Sequence, residues 1–390
     1  MKRLDNARIL MYSHDTFGLG HLRRCRTIAH ALVDRFKGLT VLIISGSQIA
    51  GAFDFKARVD FVKIPSVIKL YDGDYASVSD HIDITDTLAM RERLICETAE
   101  AFRPDIFIVD KEPLGLRGEV EKVLIALQRK GCRTVLGLRD VMDSPDNLAT
   151  EWAKKDMPAK MAQLYDEVWI YGPESFHDPL EGIDLPDHLR DKLRYTGFLH
   201  RATGSLAPNG QDKPEKDYIL VTAGGGGDGE EIMDLVLSAR EYDRNLVYPL
   251  QIVTGPFMAT ETREALERRA NNLHGVTVEE FDNEMEATLS RAQAVVGMCG
   301  YNTFCEVLSF DKPALFMPRT HPRAEQLIRA TRAADLGLSQ MIDMTRAQDA
   351  AAMADALHAL PNAPVPSGAE AAVDLNGLER IGERVEAMLA

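Results

Sequence analysis

The sequence lacks several features that would assign a function class at once. No apolar stretch approaches the roughly 18 residues of a membrane-spanning helix, which excludes an integral membrane protein. The first residues, Met1–Asp5, lead into a polar segment without the apolar core of a signal peptide. The five cysteines form no Cys-x-x-Cys pair, and no cluster of histidines and cysteines has zinc spacing. These absences predict a cytoplasmic protein in a reducing compartment.

Positive charge is also scarce. The chain has 45 Lys and Arg against 60 Asp and Glu, a net charge of −15, which argues against nucleic acid as a partner. Residues 1–37 are the exception, with eight basic and three acidic side chains. There, Arg23, Arg24 and Arg26 form either an ordinary solvated face or a basic surface for anionic lipid. The second alternative predicts peripheral contact with the inner face of the cell membrane.

What the sequence does contain is a repeated alternation of strands and helices. Its 390 residues suit two or three domains. Continuous apolar runs such as Thr40–Ile44 predict parallel strands buried on both faces, and helices are predicted at His21–Phe36 and Thr87–Phe102. The predicted strands are Arg8–Ser13, Thr40–Ser45, Val59–Ile64, Asp105–Asp110, Thr134–Leu138 and Glu167–Tyr171, then Tyr218–Thr222, Leu250–Thr254, Val276–Val278, Ala294–Val296 and Ala314–Met317.

A change in composition divides the chain into two halves. Residues 202–217 are polar, rich in Gly and Pro and without apolar periodicity, which predicts a linker between domains 1–201 and 218–390. The helical segment Leu375–Leu389 has a spacing that allows it to pack on either half. We therefore expect an α/β protein of two doubly wound, Rossmann-like domains facing across a cleft. Ligands of such sheets bind at the carboxyl ends of the strands.

The loop after the first long strand is a candidate site. Gly18 and Gly20 let the backbone turn tightly towards a ligand, and the N-terminus of the next helix favours an anion. His21 lies in the first turn of that helix, where the helix dipole disfavours the imidazolium and keeps the ring able to accept a proton. The alternative is a polar capping loop with an idle histidine.

The second half opens with a glycine-rich loop between a strand and a helix that begins at about Glu230. Five glycines there predict a phosphate or diphosphate cradle, because each glycine costs conformational entropy. The loop also contains a Gly-x-Gly-x-x-Gly pattern, which is typical of NAD-binding sites. The next strand, however, ends without the acidic residue that binds an adenosine ribose, so a dinucleotide site is disfavoured. The proposed cradle consists of Gly224, Gly225, Gly226 and Gly227.

Polar residues after two later strands form the densest pattern. Gly300 and the next backbone N–H groups can bind a phosphate, with side-chain hydrogen bonds from Asn302 and Thr303. Glu306 falls one turn into the helix, where a carboxylate can accept hydrogen bonds from vicinal sugar hydroxyls. After the following strand, Glu325-Gln326 offers acceptors and a donor suited to a hexose.

This pattern resembles the donor-site signature of GT-B glycosyltransferases. Gly300-x-Asn302-Thr303-x-x-Glu306 followed by Glu325-Gln326 is similar to UDP-glycosyltransferases and to the peptidoglycan-precursor N-acetylglucosaminyltransferase group, with a family 28-like C-terminal domain. The similarity spans roughly residues 218–335. It departs at Met298, where plant-type signatures carry a histidine. The resemblance implies these contacts: Glu306 with the ribose, Asn302 and Thr303 with the diphosphate, Glu325 and Gln326 with the sugar, and Phe281 with the uracil face.

The first half matches that group only in its glycine loop. The segment Gly18–Cys25 also resembles the UDP-sugar hydrolases of nonulosonate synthesis. The resemblance implies that an acid in this half, here Asp110, orients His21 as the catalytic base; the alternative is a strand-end cap that pairs with Lys111. Arg139 and Asp140 follow the next strand and are candidates for the acceptor site.

One acidic segment has the spacing of a metal motif. Asp72-Gly73-Asp74 has the Asp-x-Asp spacing of metal-dependent transferases, but this spacing arises by chance in a chain so rich in acidic residues. We therefore predict no metal site.

Together these features predict a metal-independent, inverting glycosyltransferase without a cofactor. It would move a hexose-type sugar from a nucleotide diphosphate sugar, with UDP expected, to an acceptor hydroxyl. The acceptor class stays open among lipid-linked, polysaccharide and small-molecule acceptors. Two alternatives remain: a nucleotide-sugar hydrolase or epimerase on the same fold, and a non-catalytic protein that binds a nucleotide sugar.

Overall fold

The computed structural model describes residues 2–4, 6–14, 19–69, 74–79, 81–203, 218–225, 227–246, 248–343 and 349–390. They form two compact units, one of Met1–Leu199 with Asn376–Ala390 and one of His200–Leu375. The predicted linker lies outside the described residues apart from Ala202 and Thr203.

The first unit is built on a parallel sheet. Its strands along the chain are β1 (Lys2–Arg3), β2 (Arg8–Ser13), β3 (Phe36–Lys37), β4 (Thr40–Ser45), β5 (Val59–Lys63), β6 (Val67–Lys69), β7 (Tyr75–Ser77), β8 (Ile106–Asp110), β9 (Arg133–Arg139), β10 (Glu167–Tyr171) and β11 (Leu193–Tyr195). Seven of them form one sheet in the order β11-β10-β9-β8-β2-β4-β5, while β1 pairs with β3 and β6 pairs antiparallel with β7. In register, Leu10 of β2 lies between Leu42 and Phe107.

Helices pack on this sheet and bury it. They are α1 (Gly20–Arg35), α2 (Ile84–Phe102), α3 (Glu121–Arg129), α4 (Pro145–Ala153), α5 (Met157–Leu164) and α6 (Asp187–Arg190). Because helices cover the strands, β8 is buried at every position and its sequence is continuously apolar up to Asp110. The helix α2 begins three residues before its predicted start, since the Asp83 side chain caps it by accepting from the Thr85 N–H at 2.7 Å.

The second unit repeats the architecture with a parallel sheet of six strands. The strands are β12 (Ile219–Thr222), β13 (Leu250–Val253), β14 (Val276–Glu279), β15 (Ala294–Gly297), β16 (Ala314–Phe316) and β17 (Gln340–Met341), in the order β14-β13-β12-β15-β16-β17. The helices are α7 (Glu230–Tyr242), α8 (Thr260–Ala270), α9 (Met285–Arg291), α10 (Tyr301–Ser309), α11 (Glu325–Asp335) and α12 (Ala350–Ala359). The predicted α/β class with two doubly wound domains is thus confirmed.

The last helix, α13 (Gly377–Leu389), lies with the first unit, so the predicted domain 218–390 ends earlier in the structure. Arg380 donates to the Thr196 carbonyl at 2.8 Å, and Arg384 forms an ion pair with Glu167. Both partners are in the β10–β11 region, which the apolar spacing of the helix alone could not identify.

Every predicted strand is present and differs from its predicted bounds by at most one residue at either end. The short strands β1, β3, β6, β7, β11 and β17 were not predicted. Two or three residues are too few to show a hydrophobic period, so these pairings depend on neighbours distant in sequence.

Candidate functional site

In both parallel sheets the strand order reverses beside a central strand. In the first unit β2 lies between β4 and β8, and in the second β12 lies between β13 and β15. The chain adds strands first on one side and then on the other, which opens a crevice at the carboxyl ends of these strands. Several predicted site residues follow the strands at these points: His21 and Asp110 follow or end β2 and β8, and the glycine-rich loop and the segment Gly300–Glu306 follow β12 and β15.

In the first unit, this point holds a buried group of three side chains. His21 Nδ1 lies 2.5 Å from Asp110 Oδ2, and Arg24 binds both oxygens of the same carboxylate at 2.8 and 2.6 Å. The side chains of His21, Arg24 and Asp110 are 12%, 2% and 1% exposed. The helix α1 supplies His21 and Arg24 from adjacent turns, because residues three apart share a helix face.

The protonation of this group follows from its charges. Burial would raise the pKa of Asp110, but the Arg24 and His21 side chains outweigh it and hold that pKa well below its usual range. The carboxylate is therefore ionised and accepts the hydrogen bond, which places the proton of the neutral imidazole on Nδ1.

The His21 ring is consequently poised to accept a proton. Burial lowers the pKa of His21 to about 4, against the opposing effects of the Asp110 hydrogen bond and charge. Its Nε2 has no hydrogen-bond partner among the residues that the structure describes. A neutral ring, fixed through Nδ1 with Nε2 unprotonated, is the arrangement of a general base.

In the second unit, the N-terminus of α10 is surrounded by buried polar side chains. Asn302 and Thr303 are 8% exposed and Glu306 is 1% exposed. All three lie on α10, which begins just after the carboxyl end of β15. Gly300 precedes the helix as its N-cap residue, so the first N–H groups of α10 point towards the same edge. Such a terminus favours the binding of a phosphate.

Arg201 adds a cation that the sequence did not predict. Its Nη2 donates to Asn302 Oδ1 at 2.7 Å, and the residue is only 3% exposed. Its Nε and Nη1 are buried without a hydrogen-bond partner among the described residues. Because a buried guanidinium without acceptors is costly, a bound anion at the α10 terminus would satisfy both groups. Arg201 directly precedes the predicted linker, where no local pattern marked it.

Glu325 and Gln326, the residues predicted to contact the sugar, are connected through Arg319 to the glycine-rich loop. Glu325 and Gln326 are both buried in the first turn of α11, and Gln326 Oε1 accepts from the Arg319 N–H at 3.2 Å. The Arg319 guanidinium forms an ion pair with Asp228 of the glycine-rich loop. The predicted diphosphate and sugar loops are therefore physically connected.

The glycine-rich loop has a backbone that other residues would not adopt easily. Gly224 has φ +68°, with open space where a side chain would stand. Gly225 accepts a hydrogen bond from the Phe257 N–H at 3.0 Å, and Gly227 is exposed. Packing does explain one glycine, since a Cβ on Gly229 would lie 2.0 Å from the Cβ of Ala223.

Residues 218–367 match the glycosyltransferase family 28 C-terminal domain. This stretch contains the glycine-rich loop, the α10 terminus and the Glu325-Gln326 pair. This part of the chain is a family 28-like glycosyltransferase domain.

Similarity to known proteins extends over the whole glycosyltransferase. An uncharacterised glycosyltransferase of Methanosarcina acetivorans is 24% identical over 316 residues, which are 77% of each chain. The crystal structure of the calicheamicin glycosyltransferase superposes with a TM-score of 0.60 at 15% identity and covers 99% of both chains. The UDP-GlcNAc 2-epimerase of Neisseria meningitidis, bound to UDP-GlcNAc, gives 0.56 at 14% identity, with 99% and 100% covered. At these identities the two structures establish the GT-B fold.

The remaining predicted site residues of the glycosyltransferase have different surroundings. Phe281 is half-buried in the loop after β14. Arg139 and Asp140 are buried at the end of β9, next to β8 in the sheet. Gly20 is the first residue of α1. Gly18 and Gly226 lie outside the described residues, as do Asp72 and Gly73.

One surface interpretation is wrong at the residue level. The sequence predicts Arg24, with Arg23 and Arg26, on a solvated or lipid-facing surface, but the Arg24 guanidinium is buried and paired with Asp110. One arginine of this basic segment, Arg24, is therefore part of the buried structure and not of the surface. In the part of the chain that is described, no helix is long and apolar enough to cross a membrane, and no three His, Cys, Asp or Glu side chains are grouped to hold a metal ion.

Proposed function

We propose that this glycosyltransferase moves a hexose from a UDP-sugar to an acceptor hydroxyl, with inversion and without a metal. The observation that carries the proposal is the neutral His21, fixed through Nδ1 by Asp110 with Nε2 free of described partners. His21 Nε2 removes the proton of the acceptor hydroxyl as that oxygen attacks the anomeric carbon. The bond from the anomeric carbon to the diphosphate oxygen breaks, and its electron pair leaves with UDP.

The second unit would bind the donor. In this proposal the α10 terminus, Arg201 and the glycine-rich loop stabilise the negative charge that develops on the leaving diphosphate, as a metal does in other transferases. Glu306 binds the ribose, Phe281 contacts the uracil, and Glu325 with Gln326 selects the sugar. Arg139 and Asp140 contribute to the acceptor side.

The donor assignment is tested by thermal stability in UDP, dTDP, GDP and NAD, each with and without EDTA. A ligand that binds only the folded state raises the melting temperature by mass action. We expect UDP to raise it regardless of EDTA, and Glu306→Gln to lose that rise. Glu267→Gln, an exposed carboxylate on α8, is the matched control. If only NAD raises the melting temperature, or if none of the four nucleotides raises it, the donor site is refuted.

Catalysis is tested with His21→Ala. Loss of a general base lowers kcat by about 10²–10⁴-fold, while binding of the donor should persist because it is assigned to the second unit. Initial rates of UDP release, with a panel of acceptors, measure this effect. Wild-type rates in the variant would contradict the role of His21.

A nucleotide-sugar hydrolase or epimerase is the second candidate function, favoured by the similarity to the UDP-GlcNAc 2-epimerase. Rapid release of UDP without any acceptor, or a C2 epimer of the sugar, would support it over transfer. Tight donor binding with no turnover, unaffected by His21→Ala, would instead indicate a non-catalytic binding protein.

Peripheral membrane contact is supported by a set of exposed apolar side chains on the first unit, here called the apolar patch. The set consists of Ile68 on β6, Val78 after β7, Ile82 before α2, and Met90 and Leu94 on α2, each between 37% and 45% exposed. We expect the wild-type protein to sediment with anionic phospholipid vesicles. The double variant Met90→Asp with Leu94→Asp should no longer sediment with them. Unchanged sedimentation would refute the patch as a lipid contact.

A further inference from the structure

A second buried histidine, His14, lies beside His21. His14 directly follows β2 and is 4% exposed. The ring centroids of His14 and His21 are 5.7 Å apart with planes at 84°, an edge-to-face contact. The proposed mechanism assigns no function to His14, although it is in contact with the base.

A chain of buried hydrogen bonds leads from His14 into the core of the first unit. Tyr12 Oη lies 3.3 Å from His14 Nδ1 and 2.5 Å from Glu119 Oε1. Arg91, which is fully buried, binds both oxygens of Glu119 at 2.7 and 2.6 Å and donates to the Pro65 carbonyl at 2.5 Å. Four side chains from three separate segments are thus connected.

The proton positions along this chain follow from donor and acceptor chemistry. Glu119 accepts from Arg91 through both of its oxygens, and a carboxylate paired in this way only accepts, so Tyr12 donates its single proton to Glu119. The Tyr12 oxygen already accepts from the Leu116 N–H at 3.2 Å. With its proton committed, Tyr12 can only accept from His14, which places a proton on His14 Nδ1.

We propose that Arg91, Glu119 and Tyr12 hold His14 as its neutral Nδ1–H tautomer, and that His14 positions the ring of His21. The proposal rests on the proposed function, in which His21 is the base. His14 acts through His21 and is therefore a positioning residue.

Charge explains why a neutral ring is needed at this place. Burial holds the pKa of His14 well below its ordinary value; Glu112 opposes that effect, and Lys111, His21 and Arg91 add to it. A protonated His14 would put a further cation beside His21, which already faces Arg24 and Lys111. The buried chain supplies an acceptor for only one of the two ring nitrogens, which favours the uncharged form.

The test is the tautomer of each histidine, measured by long-range ¹H–¹⁵N correlation in the free full-length protein labelled with ¹⁵N-histidine. His14→Asn and His21→Asn assign the two sets of signals. In the wild type we expect both rings to be neutral at about pH 7 with the proton on Nδ1. A proton on Nε2 of His14 would overturn the proposal.

Tyr12→Phe tests the link between the two rings. Loss of the phenol oxygen should move the His14 proton towards Nε2 and shift the ring signals of His21. Tyr165→Phe is the matched control, because it also removes a buried hydroxyl, one that donates to the Pro113 carbonyl, and should leave both histidines unchanged. A change confined to His14 would refute its positioning of His21.

A second variant covers the case in which Tyr12→Phe does not fold. In Glu119→Gln the amide can donate to the Tyr12 oxygen, which frees Tyr12 to donate to His14, so the His14 proton should transfer to Nε2. Retention of the Nδ1 proton would overturn the proposed chain. These spectra need no sugar donor, so their failure is distinguishable from failure of the proposed transferase activity, which His21→Ala tests by turnover.

Discussion

Asp110 is the residue on which the first unit's site depends. Its two oxygens accept from His21 and from Arg24, and it is almost completely buried. Removing its charge would break the ion pair with the buried Arg24 guanidinium and free His21 to take the other tautomer. One carboxylate therefore contributes both to stability and to the orientation of the base.

Asp110→Asn should lower kcat by about 10²–10⁴-fold, because the amide no longer enforces the Nδ1–H tautomer of His21. It should also lower the free energy of unfolding by about 3–5 kcal/mol, through loss of the buried ion pair with Arg24. Steady-state kinetics and urea unfolding measure the two effects. Asp34→Asn, an exposed partner of Lys56, is the control. Full activity in Asp110→Asn would contradict the orienting role.

At the scale of elements, the N-terminus of α10 illustrates how a helix and a distant side chain form one binding surface. Asn302 comes from the first turn of the helix, whereas Arg201 lies 101 residues earlier in the chain. The helix dipole and the guanidinium are both positive at this point, so each favours the same anion.

Arg201→Met should weaken UDP binding about 10–100-fold, because it removes charge-assisted hydrogen bonds to the diphosphate. Binding of uridine, which has no phosphate, should be unchanged. Isothermal titration of both ligands measures this, with Arg269→Met on α8 as a variant of equal charge change. Equal weakening of UDP and uridine would show that Arg201 supports the fold instead.

The last helix offers a matched pair of glycines. A Cβ on Gly377 would meet the backbone oxygens of Gly197 and Phe198 at 2.6 and 2.7 Å, whereas on Gly382 it would meet the flexible Arg35 side chain at 2.6 Å. Gly377→Ala should therefore destabilise the protein by about 1–3 kcal/mol. Gly382→Ala should change stability by less than about 1 kcal/mol, because helix propensity offsets the movement of Arg35. Urea unfolding that ranks them in the opposite order would refute the docking of α13.

For the whole molecule, buried histidines predict a loss of stability in acid. The pKa of His21 is about 4 in the folded protein and about 6.5 when unfolded, so the unfolded chain binds more protons between these values. Stability is then complete above about pH 6.5 and falls as the pH decreases towards 4. The pKa of His14 is lowered in the same direction.

We expect the free energy of unfolding to fall by about 2 kcal/mol between about pH 7 and pH 5 from His21 alone. Urea unfolding at both values measures it. His21→Phe, which cannot titrate, should show a shallower dependence. An equal dependence in wild type and variant would mean that His21 does not contribute.

Much of the fold was predictable because its strands are long, apolar and evenly spaced. The strands β2, β4 and β8 are covered on both faces, and strands buried in this way have nearly continuous apolar sequences. The glycine loop and the motif Gly300–Glu306 were predictable for a similar reason, since backbone turns before helices require particular residue types.

Other features required contacts between distant segments. Arg24 looks like one member of a basic run until Asp110, 86 residues away, is placed against it. Arg201 and His14 have no local signature, and the last helix has an apolar face that suits either half.

The sequence alone determined the two doubly wound halves, the order of their strands and helices, and the loops that bear the candidate site, because hydrophobic period and turn chemistry are local properties. Only the tertiary structure decided which charges are buried together and to which unit α13 belongs. Those outcomes depend on desolvation and on partners far apart in the chain, which no local pattern records.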